Sequence, residues 1–152
     1  MDMKGQDLEI AKLKLIEKGL SLVIVKNKKV IFETKKQGVN GLLEAIEKLN
    51  QELDGASVAD KIVGVAAAML FVYSGVSSVF ALTISEGGIR MLKDNNIAYM
   101  FEKKVPNIMN RSKTDVCPFE KLAIASETAE EAYVKLKSCA SQMMRKSTKT
   151  NG

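Results

Sequence analysis

Ile62-Val63-Gly64-Val65-Ala66-Ala67-Ala68-Met69-Leu70-Phe71-Val72-Tyr73 carries no charge, and Ser74-Gly75-Val76-Ser77-Ser78 separates it from Val79-Phe80-Ala81-Leu82-Thr83. From Ile62 to Ser85 there is no Asp, Glu, Lys or Arg, a length that matches a bilayer span. The serines and Gly75 at its centre argue for another reading. They divide the run into an apolar helix over residues 62–73 and a β-branched strand over 79–83, which is the pattern of a buried helix, a turn and a buried strand. Gly64 and Ala66 to Ala68 are small enough to let that helix lie close against a sheet. No membrane span is expected.

Downstream, the strand runs into Ile84-Ser85-Glu86-Gly87-Gly88, then a short amphipathic helix over 89–93 and a second strand over 97–102. A strand, loop, helix and strand in this order favours parallel pairing and places Ser85 and Glu86 at a strand's C-terminal end, where open α/β sheets collect ligands. Residues 104–117 read as an irregular loop, Pro118 suits the first position of a helix, and 127–145 form a long amphipathic terminal helix. Upstream, Leu8, Ala11, Leu15 and Ile16 share one face of a helix over 8–18 that Gly19 caps. Residues 20–25 and 30–34 make a hairpin around Lys26-Asn27-Lys28-Lys29, with the asparagine suited to a left-handed turn position. A further helix period, the second helix in chain order, covers 42–53. Gly55-Ala56-Ser57 then leads to Asp60, which reads as the N-cap of the central helix.

A chain of 152 residues suits one domain with one well-buried core. The expected division is a folded body over 7–145 and a flexible basic tail over 146–152. The net charge of +5 is uneven: without Arg145, Lys146 and Lys149 the body carries +2. That balance, with 5% aromatic residues and no tryptophan, does not point to nucleic acid or to a membrane surface as a partner. Two cysteines without a secretory leader pattern suggest free thiols and a cytoplasmic location. The absence of any histidine excludes a papain-like Cys-His dyad. With no paired-cysteine motif either, a zinc-dependent deaminase of the usual kind is excluded.

Four blocks carry a resemblance. Asp60-Lys61-x-x-Gly64-x-Ala66-Ala67-Ala68, then Ile84-Ser85-Glu86, Asn110-Arg111, and Cys117-Pro118-x-Glu120 resemble, in order and spacing, the family called domain of unknown function 1893, over residues 8–137. The resemblance implies a cytidine-deaminase-like fold: a three-layer α/β/α sandwich with a mixed sheet. Active members of that fold hold zinc through a His or Cys at the start of the buried helix, with a Glu two residues on, and through Pro-Cys-x-x-Cys at the start of the next helix. The matching junctions here are read as Asp60-Lys61-Ile62 and Ser85-Glu86-Gly87-Gly88, so the metal ligands are missing and no cofactor is expected. The family pattern commonly has a lysine where this chain has Val65.

Several residues can carry chemistry. Cys117 precedes Pro118 at a helix start, where free N–H groups stabilise a thiolate, and is the candidate nucleophile; packing or capping is the plainer role. Asp60 and Glu86 fall at adjacent strand and helix ends, so two carboxylates can face one cleft and exchange protons or bind a cation, although an N-cap and a first-turn charge explain them without chemistry. Ser85 before Glu86-Gly87-Gly88 can present N–H groups to an anion, and Asn110 with Arg111 can supply a fork for carboxylate or phosphate. Lys61 and Glu120 complete the ligand-binding candidates. Cys139 reads as a packing residue. The expected function is a small polar ligand bound in a former active-site cleft. The alternatives are a Cys117-dependent transferase or hydrolase, and an oligomerising or regulatory domain that uses the apolar face of residues 129–144.

Overall fold

The computed structural model describes the backbone of residues 3–151 and the side chains of residues 5–143. The expected basic tail, 146–152, therefore has its side chains outside the described residues. Eleven residues of alternating or β-branched character build the first hairpin, strands β1 (Leu22–Lys26) and β2 (Lys29–Thr34). Strand β3 (Ser57–Val63) pairs antiparallel with β1, while β4 (Ser78–Ser85) and β5 (Ala98–Val105) follow in parallel, so the mixed sheet has the order β2-β1-β3-β4-β5.

The hairpin turn is held by a residue far from it in sequence. Asn27 and Lys28 both take left-handed backbone angles, φ 53° and 67°, the pairing of a two-residue hairpin loop that matches sheet twist. Both of their N–H groups donate to the buried Asp7 carboxylate, at 3.1 and 2.8 Å. Asp7 belongs to α1 (Met3–Lys18), which lies on one face of the sheet and buries Leu8, Ala11 and Leu15 with Val23, Val25, Ala59 and Phe80.

The second core cluster takes residues from α2 (Val39–Leu49), α3 (Val65–Ser74), α4 (Glu86–Asp94), α5 (Pro118–Ile124) and α6 (Ala129–Asn151). Helix α3 is apolar all round because other helices surround it: Ala66 to Phe71 are buried, and α2, α4, α5 and α6 all contact it. Gly75 ends it in the left-handed conformation at φ 77°, donating back to the Phe71 carbonyl. Ala132, Leu136 and Ala140 turn the apolar face of α6 into the same core. No helix among the described residues is long and apolar enough to cross a membrane.

Three local expectations are corrected. The apolar run expected as a helix from residue 62 instead divides at Gly64: Ser57 to Val63 form the central strand and the helix begins at Val65. Asp60 is thus a mid-strand residue opposite Leu22 and Ala81 rather than a helix cap. Val58, Ile62 and Val63 are β-branched and fit the pleat, and sheet pairing on both sides outweighs the polar Asp60-Lys61 pair inside it. The loop expected from residue 104 starts later, because β5 continues to Val105.

Candidate functional site

Strand β3 ends at Gly64, and the next residues start the buried helix with their N–H groups pointing away from any intrahelical partner. Glu120, in the first turn of α5, reaches across to them. Its carboxylate accepts the N–H of Val65 at 2.8 Å and that of Ala66 at 2.7 Å, and the residue is only 5% exposed. Burial pushes its carboxyl above the usual range, against the two N–H donors, which favour the charged form. Gly64 is obligatory beside it. A Cβ there would collide with the Glu120 carboxyl group and with Ile108.

A cleft of about 500 Å³ opens over this junction. Asp60 and Lys61 come to it from β3, Asn110 and Arg111 from the loop after β5, and Cys117 and Glu120 from the start of α5. The N-terminus of α2, around Val39, forms the opposite side, and Met143 of α6 reaches the lining. The walls between these polar groups are apolar, with Ile62, Ala66, Ile108, Met109 and Phe119. The cleft therefore gathers six of the eight candidate residues.

The remaining two lie elsewhere. Ser85 is buried as the N-cap of α4, its Oγ accepting the Gly88 N–H at 3.0 Å, and Glu86 is exposed in the first turn of that helix. Neither is among the cleft residues. The expected convergence of Asp60, Glu86 and Cys117 is corrected to Asp60 and Cys117 alone. The cause is close packing: Cβ atoms at Gly87 and Gly88 would abut Val65 and the Val63 carbonyl, so the start of α4 sits directly on the start of α3 and fills the crevice between the ends of β3 and β4.

Each cleft residue has its own state. Asp60 keeps some contact with solvent, yet the protein packed around its carboxyl pushes the pKa up to about 7, opposed by the N–H groups of Ile62 and Lys61. The Ile62 bond is long, at 3.3 Å. Asn110 is committed to its own loop: its side chain accepts the Thr114 N–H at 3.0 Å and donates to the Thr114 hydroxyl at 3.2 Å. Arg111 and Lys61 are exposed, and among the described residues neither side chain has a hydrogen-bond or ion-pair partner. Lys121, by contrast, is paired with Asp115. Cys117 is half-buried and N-caps α5 without a side-chain cap bond, while its own N–H donates to the Ile108 carbonyl at 3.0 Å. Cys139 is also half-buried, on α6.

The match to a family model, described as a domain of unknown function (DUF1893), spans residues 10–139. The chain belongs to the DUF1893 family. A crystal structure of a DUF1893 family protein from Thermotoga maritima superposes with a TM-score of 0.81 at 26% identity, covering 90% of this chain and 92% of that one. More distant resemblances include the dCMP deaminase of cyanophage S-TIM5 in complex with dCMP and dUMP, at TM-score 0.46 and 11% identity over 66% of this chain and 98% of that one. A diaminohydroxyphosphoribosylaminopyrimidine deaminase/5-amino-6-(5-phosphoribosylamino)uracil reductase from Thermotoga maritima gives TM-score 0.45 and 17% identity over 77% and 38% of the two chains. No curated protein sequence matches. The five-stranded mixed sheet with its helices is an α/β architecture shared with the Thermotoga maritima DUF1893 protein.

The zinc that the sequence resemblance to cytidine-deaminase-like domains would imply can be tested on the residues present. At the start of the buried helix stand Val65, Ala66 and Ala67, and at the start of the next stand Ser85, Glu86, Gly87 and Gly88. The hydroxyl of Ser85 is spent on a cap, both oxygens of Glu120 are spent on backbone N–H groups, and among the described residues no group of three or more His, Cys, Asp or Glu side chains is placed to hold a metal ion. This donor set does not fit the zinc site.

Proposed function

We propose that this DUF1893 domain holds a small polar ligand in the cleft between β3, α2, α5 and the loop after β5. The observation that carries the reading is the convergence there of Asp60, Lys61, Arg111 and Cys117 around apolar walls, in a volume of about 500 Å³. Pockets for small molecules have this size and this composition, mostly apolar with a few placed polar groups. The raised pKa of Asp60 adds a group near its titration point at neutral pH, a common feature of functional clefts. The Glu120 cap supports the role of the floor as a rigid platform, since it ties α5 to the start of α3 and so fixes Cys117 relative to β3.

Amide chemical-shift mapping of the full chain against a library of small amines, carboxylates, phosphates and polyols tests this reading. Saturable shifts concentrated at Ile62, Arg111 and Cys117 are expected from at least one class. Shifts scattered over the surface, or none, would remove the cleft as a binding site.

A second reading rests on Cys117 and Asp60 lining the same cleft. The sulfur of Cys117 would attack an acyl carbon while its proton passes to Asp60. The bond from that carbon to the leaving oxygen would break, the leaving alkoxide taking the proton from Asp60 to depart as an alcohol and leaving a thioester on the enzyme. Intact-mass measurement after incubation with an activated ester decides it. A single adduct that forms with the wild-type chain and is lost in Cys117→Ser favours the nucleophile; adduct formation unaffected by that change removes it.

A further inference from the structure

We infer that the ligand of this cleft is a small zwitterion, with a protonated amine placed at Asp60 and an anionic group placed at Arg111 and Lys61. The inference rests on the small-ligand reading above and narrows it by asking which polar groups of the cleft still lack a partner. Two carboxylates line it, and they are not equivalent. Glu120 spends each oxygen on a backbone N–H at 2.7–2.8 Å, whereas Asp60 has only a long bond from the Ile62 N–H, 3.3 Å to one oxygen, and a weaker interaction with the N–H of Lys61. Asp60 therefore retains acceptor capacity inside an enclosure that penalises its bare charge. A bound ammonium would relieve that penalty by giving the carboxylate a charged hydrogen-bond partner.

The cations divide in the same way. Outside the lining, Lys121 is neutralised by Asp115 and Lys36 by Glu44; in the lining, Arg111 and Lys61 are unpaired among the described residues. Arg111 offers a planar fork suited to a carboxylate or a phosphate. The cleft thus presents one unfilled acid and two unfilled bases, and a ligand that answers both must carry both signs. Ile62, Ile108, Met109 and Phe119 form its apolar wall, which suits a short aliphatic connector between the charged ends. A cleft of about 500 Å³ has room for an amino acid, a short amino carboxylate or an amino phosphate.

The test titrates isotope-labelled full chain with 5-aminopentanoate, pentylamine and pentanoate, following the amides of Ile62, Asn110 and Cys117. The zwitterion is expected to bind at least about tenfold more tightly than either half. Asp60→Asn should weaken 5-aminopentanoate about tenfold and leave pentanoate unchanged, and Arg111→Gln should weaken 5-aminopentanoate and pentanoate but not pentylamine. Arg111 lies on an exposed loop, so its variant keeps the test open if Asp60→Asn disturbs folding. Equal binding of the halves, or a zwitterion affinity indifferent to both substitutions, overturns the inference. If single-charge probes saturate the cleft without that preference, the zwitterion fails and the small-ligand reading stands. If no probe shifts a cleft amide the zwitterion again fails, and the wider library then decides whether the ligand site falls with it.

Discussion

Asp7 and Glu120 are both buried carboxylates that accept two consecutive backbone N–H groups, and they do opposite kinds of work. Asp7 reaches a hairpin turn 20 and 21 residues away and stitches α1 to the sheet. Glu120 reaches back 55 and 54 residues to the start of the central helix, and it does so on the floor of the cleft. The first settles a strained turn; the second closes a helix end that would otherwise present bare donors to any anion in the cleft. One geometry therefore serves folding at one end of the sheet and defines the shape and charge of a site at the other.

Removing the Glu120 carboxylate should have the largest effect. Glu120→Ala leaves two buried N–H groups without acceptors and should cost about 3 kcal/mol of unfolding free energy, read by denaturant titration. Added acetate should raise the melting temperature of this variant more than that of the wild type, since the emptied space retains the donors and the helix-dipole end. Gly64→Ala should destabilise in the same way, by forcing the carboxyl group off its donors, and the two changes together should cost clearly less than their sum. Full additivity would show that Gly64 and Glu120 act separately.

Asp7→Ala removes the other stitch and should cost about 2 kcal/mol, less than Glu120→Ala because the freed turn lies beside solvent and water can reach the two N–H groups. Amide exchange at Asn27 and Lys28 should accelerate strongly while the amides of Val65 and Ala66 keep their protection. Loss of protection at both ends would mean that the two carboxylates are not independent.

Asp60 sharpens the contrast, as a cleft carboxyl without a strong pair of donors. Its folded pKa of about 7 lies above the ordinary value of 3.8. Below about pH 4 the carboxyl is protonated in both states and costs nothing. As pH rises toward 7 the unfolded chain releases the proton while the folded chain keeps it, so stability declines through that window and the cost is complete above it. Asp60→Asn cannot titrate. Its stability relative to the wild type should rise by about 1 kcal/mol between pH 4 and 8, a figure held well below full burial because solvent still touches the residue. An unchanged difference across that range would place Asp60 in open water.

The legible part of the molecule was the part written in local pattern. The hairpin with its left-handed Asn27, the break at Ser74 to Ser78, the Gly19 and Gly75 helix ends and the start of α5 at Pro118 all follow from residues adjacent in sequence. Strand β3 was hidden because its apolar end merges with the apolar helix after it, and Asp60-Lys61 in its middle imitates a capping signal. Gly64 was the available clue, a glycine at the point where an uninterrupted apolar run changes period. In the site, Asp60, Lys61, Asn110, Arg111, Cys117 and Glu120 were named from the motif blocks and share one cleft. The role of Glu120 was not legible, since capping a helix 55 residues upstream depends on the fold itself, and the same holds for Asp7. Glu86 was misplaced because sequence order cannot show that Gly87 and Gly88 seat α4 directly on α3.

The smallest effect isolates what Asp7 contributes to its turn. Lys28 holds φ 67° with a full side chain, whereas glycine adopts that region freely. Lys28→Gly should therefore stabilise by about 0.5 kcal/mol, the relief of strain exceeding the added freedom of the unfolded chain. Made in the Asp7→Ala background, the same change should return only that half kcal/mol, because glycine supplies no acceptor for the two orphaned N–H groups. A full recovery there would mean that Asp7 acts by holding a strained lysine in place, and its likeness to Glu120, which caps donors that no glycine could satisfy, would then be one of shape alone.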